Sequence, residues 1–459
     1  MNGSPHSPPL SNRASGASGV PDVASSLPDR VGGFLSRHLP SGARLSLGYS
    51  GGLDSSALLH CLAGLRERYP FDLSACHVHH GLSPHADAWA EHCLRIGRIL
   101  SVPVEVHRVE VRPAGEGFEA AARAARYRVF TSLAADAVAL AQHRDDQAET
   151  VLLQLLRGGD LRALAAMPAR RPLGDKLLLR PLLDVTRAGI EAYARAHHLD
   201  WIEDESNACT TLTRNALRHE ILPVMVRWFP NAAADLAQTA SACAEATELL
   251  DALAGQDLRA AEEVQGLRID CLAAMPPPRA LNLLRHFVVS NGGQIHRAAL
   301  IEALRQLTEA DRQARVEVRF GAISLHRFRG HAWLVRSSQT EPVDLVWQGE
   351  TRMELPGLGF IEFLPAVGAG VRLQPGTTRL VSRRGGERLR LRADRPRRAL
   401  KDWLREAAIP PWRRQRLPLI YTEGRLAWAA ELGPDIDSLA GPGEPGWLIS
   451  WSWVESAPR

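Results

Sequence analysis

Short apolar runs alternate with helical patterns along residues 31–224. The predicted strands are Arg44–Tyr49, Leu73–His79, Val104–Val109, Ala137–Ala141 and Leu177–Leu179. Helical patterns occupy 54–68, 87–100, 118–133 and 145–157 between them. Strands separated by helices of this length are typical of βαβ units. The pattern therefore predicts an α/β domain at 31–224, in which a doubly wound parallel sheet has helices on both faces.

The pattern changes on either side of this domain. Residues 1–30 are rich in Ser, Pro, Gly and Ala without apolar periodicity, which indicates a disordered tail. Residues 231–335 are mainly helical, with helices predicted at 231–263, 278–290 and 296–308 and a strand pair at 315–320 and 322–328. We expect a linker at 336–375, and then a small α+β domain at 376–455 with a helix at 396–407.

Composition limits the class of protein. The 459 residues are 45% hydrophobic and 23% charged, which is typical of globular chains, and no apolar run is long enough for a membrane span. Six cysteines lie far apart without a C-x-x-C pair. This spacing favours reduced thiols in the cytoplasm over a disulfide framework, a structural zinc site or a redox relay.

Charge is concentrated in one segment. The formal net charge is only +4, but residues 383–416 hold 13 Lys and Arg against 4 Asp and Glu. Such a segment favours nucleic-acid binding about as much as a solvated, arginine-rich face. Trp403 and Trp412 lie among these arginines, and we interpret Trp403 as a core residue and the arginines as the contact surface.

The segment RLSLGYSGGLDSSALLHCL (44–62) carries the clearest chemistry. A strand that runs through a glycine turn directly into a helix directs backbone N–H groups and the positive helix end at one point, which suits a phosphate. Gly51 and Gly52 let the backbone approach the anion, the serines at 50, 55 and 56 supply hydroxyl groups, and Asp54 can hold Mg²⁺. The alternative is an ordinary tight turn with a serine cap.

A second acidic and basic set follows in sequence. Asp145, Asp146 and Glu149 begin a helix directly after a strand, where ligands of open α/β sheets bind. Capping explains one of the aspartates, and we expect Asp145 to be that cap, but capping does not require Glu149. His143 precedes this helix and either lines the nucleotide site or packs in the core.

Other candidate residues have structural alternatives. Arg123 suits a carboxylate or phosphate ligand, or else a surface ion pair with Glu119. Two of the three histidines at 77, 79 and 80 share a strand face without a third ligand, which argues against zinc. Arg214 and Arg218 face either RNA and ATP phosphates or solvent.

These motifs together resemble a known family. The loop at 50–56 is similar to the SGGxDS loop of the PP-loop (N-type) ATP pyrophosphatases, whose fold is Rossmann-like. Further segments resemble the tRNA(Ile)-lysidine synthases of that superfamily. They are HVHHGLSPHADAW (77–89), GFEAAARAARYRVF (117–130), AQHRDDQAETVLLQLLRGGDLRAL (141–164), LLRPLL (178–183), WIEDESN (201–207), TRNALRHEILP (213–223) and RPRRALKDWLREAAIPPWRRQRLPLIYTEGRLAWAAELG (395–433). The sequence differs from the family's usual motif residues at four peripheral motif positions, His79, Ser83, Gln142 and Asp160.

The resemblance implies an ATP-dependent ligase that modifies tRNA. ATP would adenylate the C2 carbonyl oxygen of the wobble cytidine in an isoleucine tRNA with a CAU anticodon. The ε-amine of free L-lysine would then attack C2, giving lysidine with release of AMP and pyrophosphate. Codon recognition would change from AUG to AUA, and tRNA identity from methionine to isoleucine. A homodimer is compatible with the family.

The resemblance also implies roles for individual residues. The catalytic set is Asp54, Arg123, Asp146 and Glu149. ATP would be bound by Ser50, Gly51, Gly52, Leu53, Asp54, Ser55, Ser56 and His143, with Mg²⁺ on Asp54. Lysine would be bound by Arg123, Asp146 and Glu149. The tRNA would be bound by Arg214, Arg218, Arg397, Arg398, Arg413 and Arg414.

Three other functions remain in competition. A PP-loop tRNA thiolase would need paired catalytic cysteines, which the sequence lacks. A small-molecule ligase, such as an asparagine, argininosuccinate or NAD synthetase, would leave the basic C-terminal segment unexplained. A non-catalytic tRNA- or nucleotide-binding protein would not need Asp54, Asp146 and Glu149 together.

Overall fold

The computed structural model describes residues 26–111, 118–203, 213–263, 266–311, 314–336 and 342–452, with the side chains of 118, 119 and 213 outside the description. The chain forms two compact units, residues 1–249 and 250–459. Within the described residues, no helix combines the length and the apolar composition that crossing a membrane requires.

The first unit is built on a six-stranded sheet. Its strands are β1 (Ala43–Gly48), β2 (Phe71–His79), β3 (Val104–Arg108), β4 (Ala137–Ala139), β5 (Arg170–Leu173) and β6 (Lys176–Leu179). Its helices are α1 (Leu27–His38), α2 (Leu53–Leu65), α3 (Ala86–Ile99), α4 (Phe118–Ser132), α5 (Arg144–Leu156), α6 (Leu161–Leu164), α7 (Arg187–Ala196), α8 (Thr213–Ala216) and α9 (Leu222–Trp228), with a π-helical turn at Leu217–Ile221 between the last two.

Strand order confirms the doubly wound sheet. The order is β3-β2-β1-β4-β6-β5, and every neighbouring pair is parallel except β5 with β6. Leu45 and Leu47 of β1 contribute to a core shared with α1, α2 and α7, whereas Val138 and Leu178 pack with Phe130 of α4 in a second core. Because alternate residues of a strand face opposite sides, the two cores lie on opposite faces of the sheet.

Two elements of this unit differ from the sequence prediction. Helix α1 begins inside the predicted tail, of which residues 1–25 lie outside the described part. Val31, Phe34 and Leu35 are buried on α1 at helical spacing, but Gly32 and Gly33 weaken the local helix signal. Strand β5 was also not predicted, because it has only four residues and contains Pro172, which is tolerated at a sheet edge.

The long helix α10 (Ala232–Ala261) is followed by a mixed α and β region. It contains β7 (Glu262–Glu263), β8 (Gly266–Arg268), α11 (Ile269–Ala274), α12 (Pro277–Ser290), α13 (Arg297–Glu309), β9 (Glu317–Phe320), β10 (Ile323–Phe328) and β11 (His331–Arg336). The strands form one antiparallel sheet in the order β7-β8-β11-β10-β9. Leu283, Leu284 and Phe287 of α12 share a core with Leu325 of β10.

The C-terminal region has a core of its own. Its elements are β12 (Asp344–Val346), β13 (Arg352–Leu355), β14 (Gly359–Val367), β15 (Arg379–Ser382), β16 (Arg388–Leu389), β17 (Arg398–Ala399), α14 (Leu400–Glu406), α15 (Pro411–Arg414), β18 (Pro418–Thr422), β19 (Arg425–Ala429), β20 (Gly433–Pro434) and β21 (Pro445–Ser452). They form two antiparallel sheets, β12-β15-β18-β19-β20 and β13-β14-β21, and a small pair, β16-β17.

The segment expected to be a linker belongs to this core. Between 342 and 375 the chain forms β12, β13 and β14, and Trp347 and Phe363 are fully buried and stacked with ring centres 5.0 Å apart. Closely spaced Pro and Gly residues suggested a linker, but here they end short strands. Trp403 is buried as expected, and its Nε1 donates to Leu389 O at 2.9 Å.

Candidate active site

The turn between β1 and α2 is shaped by glycine. Gly51 has φ +83°, and a Cβ there would lie 2.5 Å from Ile202 Cδ1 and 3.0 Å from Cys93 Sγ. Ile202 N also donates to Gly51 O at 2.9 Å. The sequence indicated the need for glycine but not that Ile202 packs against the turn. A side chain at position 51 would therefore clash and would strain the backbone.

The first turn of α2 offers backbone donors to an anion. Ser56 N makes the first helical bond, to Gly52 O at 2.9 Å, so the N–H groups of Leu53, Asp54 and Ser55 have no partner within the helix. Their dipoles add to the positive end of the helix. This arrangement is suited to a phosphate group.

The serine hydroxyls maintain the shape of the loop. Ser55 Oγ donates to Gly52 O at 3.1 Å and lies 3.0 Å from Ser50 Oγ. Ser56 is 4% exposed, and its hydroxyl donates to Gly51 O at 3.2 Å. The hydroxyl of Ser56 therefore maintains the loop geometry, and its predicted contact with ATP stays a prediction.

His143 links this loop to the acidic helix. It is 2% exposed, and its Nε2 lies 3.7 Å from Asp54 Oδ2 and 3.6 Å from Asp146 Oδ2, while its Nδ1 lies 3.7 Å from Asp145 Oδ2. Burial raises the pKa of Asp54, the imidazole of His143 lowers it, and the carboxylate of Asp146 raises it, with a raised pKa overall. Asp54 Oδ1 is buried and has no hydrogen-bond partner among the described residues.

The two aspartates that begin α5 have different partners. Asp146 Oδ2 accepts from His143 N at 3.0 Å and so caps the helix. Asp145 Oδ2 instead accepts from Arg187 N at 2.9 Å, at the start of α7. The expectation that Asp145 is the cap was wrong, because its carboxylate joins two helices instead.

Two arginines cover the acidic pair. Arg214 contacts Glu149 Oε2 at 2.7 Å through Nε and Asp146 Oδ1 at 3.3 Å through Nη2. Arg218 makes the equivalent contacts, at 2.5 Å and 3.0 Å. Burial lowers the pKa of Arg218, but the hydrogen bond and charge of Glu149 raise it overall. Glu149 is 1% exposed, and each of its two oxygens is in contact with one of these guanidinium groups.

Among the described contacts, Arg123 lies beside Tyr127 and not beside the acidic pair. Its Nη2 donates to Tyr127 OH at 3.3 Å, and its guanidinium carbon lies 5.0 Å from the centre of that ring. The alternative partner Glu119 lies outside the described side chains. No described contact joins Arg123 to Asp146 or Glu149.

Two histidines of β2 have local partners, and a third, His80, directly follows the strand. His77 Nδ1 lies 3.0 Å from Tyr49 O and 3.4 Å from Cys93 Sγ, and His79 Nε2 lies 3.1 Å from Asp87 Oδ1. Burial and the nearby charge of Arg126 lower the pKa of His80 to about 4. These contacts orient β2 and the start of α3 beside the loop.

The arginines of the basic segment differ from one another. Arg397 pairs with the fully buried Asp435 at 3.0 Å and with Asp437 at 2.9 Å. Arg398 pairs with Glu406 at 3.0 Å. Arg414 donates through Nε to Ile409 O at 2.6 Å, and burial together with the charges of other arginines lowers its pKa. Arg413, on the same short helix α15, is half-buried.

Comparison with known proteins covers nearly the whole chain. Family models match as a PP-loop domain over residues 29–225, a TilS substrate binding domain over 267–333 and a TilS substrate C-terminal domain over 378–451. A tRNA(Ile)-lysidine synthase of Azoarcus sp. is 42% identical and covers 91% of this chain and 93% of its own. Proteins of the same name from Chromobacterium violaceum and Pseudomonas aeruginosa are 42% and 43% identical, over 92% and 88% of this chain and 97% and 92% of their own.

Proposed function

The chain belongs to the tRNA(Ile)-lysidine synthase family, and from this premise we propose that it joins lysine to C2 of the wobble cytidine in an isoleucine tRNA with a CAU anticodon. ATP first activates the C2 oxygen as an adenylate, and lysine then displaces AMP. One observation carries the assignment to residues. Asp54, His143 and Asp146 meet beside the N-terminus of α2, at the carboxyl edge of the parallel sheet.

The loop binds the phosphates of ATP. The free N–H groups at the start of α2 hold the pyrophosphate part, which leaves during adenylation. His143 Nε2 lies within 3.7 Å of both the Asp54 and the Asp146 carboxylates on this side of the nucleotide. The positive helix end stabilises the negative charge that develops on the leaving oxygens.

The site fits Mg²⁺. The buried Asp54 Oδ1 has no partner among the described residues, and carboxylate oxygen is a preferred ligand of this ion. The described residues contain no group of three His, Cys, Asp or Glu that could hold a metal, so ATP oxygens and water would complete its coordination. When bound, Mg²⁺ neutralises phosphate charge. Asp54 is the protein ligand that we propose for it.

Asp146 and Glu149 form the lysine site in this proposal. An ammonium group requires carboxylates, and this buried pair lies next to the nucleotide loop. Arg214 and Arg218 already contact both carboxylates, so lysine must share or replace these contacts. The role of these arginines in tRNA binding likewise requires the ion pairs to open. Arg123 makes no described contact with this pair, so the role in lysine binding that the resemblance implies for it stays a prediction.

Cysteine chemistry supports ligation over thiolation. Burial raises the pKa of Cys61, Cys76 and Cys93 to about 12, so these thiols are poor nucleophiles at neutral pH.

The C-terminal family match supports binding of tRNA by the second unit, with Arg413 and Arg414 as contact residues. We further propose that the enzyme works in the cytoplasm, where its tRNA substrate is, and that a homodimer is its assembly.

The test is incorporation of radiolabelled lysine into tRNA. The full chain is incubated with an isoleucine tRNA carrying a CAU anticodon, ATP and Mg²⁺, and each component is omitted in turn. We expect label in RNA only when all are present. A matched tRNA whose wobble cytidine is replaced by uridine is the control, and equal labelling of both would contradict the proposed target.

A further inference from the structure

Two arginines lie at the ring of one tyrosine on helix α4, and the charge of a third acts on its phenol. The guanidinium carbons of Arg123 and Arg171 lie 5.0 Å and 5.1 Å from the ring centre of Tyr127. Arg123 Nη2 also donates to the phenol oxygen at 3.3 Å. Cations at these distances are attracted by an aromatic ring, so Tyr127 holds two guanidinium groups close together.

Arg180 supplies the base of this cluster. It is 2% exposed, its Nε donates to Gln142 Oε1, and its Nη1 donates to Pro168 O at 2.7 Å. Burial lowers the pKa of Arg180, the phenol of Tyr127 raises it, and the charges of Arg171 and Arg123 lower it further, so the pKa is lowered overall. Among the described side chains, no carboxylate forms an ion pair with Arg123, Arg171 or Arg180.

The pKa of the Tyr127 phenol reflects the same excess of positive charge. Burial by itself would raise the pKa of its phenol. The adjacent guanidinium group of Arg171 and the charges of Arg123 and Arg180 lower the pKa overall. A buried guanidinium group that pairs with no described carboxylate is costly, and a bound anion would reduce that cost.

The position of the cluster connects it with the reaction. Arg180 directly follows β6, and its partner Gln142 lies just after β4. The carboxyl ends of parallel strands meet at one edge of a sheet, and the phosphate loop after β1 lies at that same edge. Helix α4 runs back from this edge, which brings its early residue Arg123 there as well.

We propose that Arg123, Arg171 and Arg180 around Tyr127 form a binding site for a backbone phosphate of the tRNA, which positions the anticodon loop beside the ATP site. The proposal rests on the function proposed above. The phosphates of ATP already have the donors of the α2 terminus, and the single carboxylate of lysine does not need three guanidinium groups. Exposure to solvent increases from the buried Arg180 to the exposed Arg123, so the site opens to the surface. Such a site suits a polyanion that approaches from solvent.

The test compares two neighbouring arginines of β5. Arg171→Gln removes one charge from the cluster. Arg170→Gln removes the same charge from the adjacent, exposed residue, whose side chain faces the opposite side of the strand, towards His38. Equilibrium binding of full-length tRNA to the full chain is measured for both variants at several salt concentrations. Thermal unfolding is measured as a check on folding.

We expect Arg171→Gln to weaken tRNA binding about 5- to 10-fold, which lies in the range for the loss of one ordinary hydrogen bond, because glutamine can still donate to a phosphate. The slope of log affinity against log salt should fall by about 0.7, the value for one contact with a single-stranded phosphate. Arg171→Lys should restore part of the affinity, and Arg170→Gln should change it less than about 2-fold, as for an unrelated surface charge.

Two results would overturn the site. One is equal weakening by both glutamine variants, which would mean that only general surface charge matters. The other is unchanged tRNA affinity together with a raised KM for lysine or ATP, which would assign the cluster to their oxyanions. Because tRNA binding is measured without turnover, a wild-type chain that binds tRNA through Arg171 but joins no lysine would contradict the proposed function alone.

Discussion

In the function proposed above, the loop at 50–56 and the basic segment at 383–416 bind their ligands in different ways. The loop acts through its backbone, and the contacts that shape it are mostly between residues at most five positions apart. The basic segment acts through side chains, and Arg397 has its buried partner Asp435 38 residues later in the chain. A local motif therefore indicates its own geometry, whereas a local excess of charge does not indicate which charges remain available.

The largest expected effect is at the loop. Asp54→Asn keeps the shape of the side chain but removes the charge that we assign to Mg²⁺ and nucleotide positioning. We expect tRNA-dependent pyrophosphate release to fall on the order of 10³-fold, since charge neutralisation dominates this step. The measurement is initial rate of pyrophosphate release, with thermal unfolding as the control for folding. Retention of wild-type rate would show that Asp54 is not part of the site.

Glu149→Gln tests whether the acidic pair of the first unit serves a step separate from that of the loop at 50–56. The variant keeps one hydrogen-bond acceptor for Arg214 or Arg218 but loses the charge that we assign to lysine. The KM for lysine should rise roughly 10- to 100-fold, equivalent to a lost charged hydrogen bond, while adenylation of tRNA persists. The two half-reactions are measured separately. Equal loss of both would mean that Glu149 positions the arginines for ATP rather than binding lysine.

Arg397→Ala and Arg414→Ala separate two kinds of arginine in the basic segment. The first leaves Asp435 buried without its guanidinium partner, so unfolding free energy should fall by about 3 kcal/mol. The second loses one bond to Ile409 O and should cost about 1 kcal/mol. Urea unfolding measures the unfolding free energy of both variants.

The KM for tRNA of the Arg414 variant should rise, with the KM for ATP and lysine unchanged. Equal unfolding free energies of the two variants would contradict the distinction between a structural Arg397 and a tRNA-contacting Arg414.

The sequence predicted the sheet of the first unit and the region of its site for physical reasons. Apolar alternation and the glycine turn place β1, α2 and α5 directly, since these signals are local. It did not predict α1, because two glycines weaken its helical pattern, or the use of 342–375 as core strands. Nor did it predict that Arg214 and Arg218 would contact Asp146 and Glu149, because those partners are 65 or more residues apart.

The cluster around Tyr127 illustrates the same limit. Arg123 was a candidate from its motif, but Arg171 lies on a short edge strand and Arg180 follows another strand. Nothing local connects these residues. The sheet order brings β5 and β6 next to each other beyond β4. Only then do the guanidinium groups of Arg123 and Arg171 meet at one ring, close enough to Arg180 for its charge to act on the Tyr127 phenol.

The most direct test of the central claim follows the order of the two chemical steps. The wild-type chain is mixed with ATP, Mg²⁺ and the isoleucine tRNA in the absence of lysine, and pyrophosphate and AMP are measured over a single turnover. The account predicts that pyrophosphate is released with tRNA alone, and that AMP leaves only after lysine is added. Pyrophosphate release that requires lysine but not tRNA would contradict it, because lysine rather than the cytidine would then be the group that ATP activates.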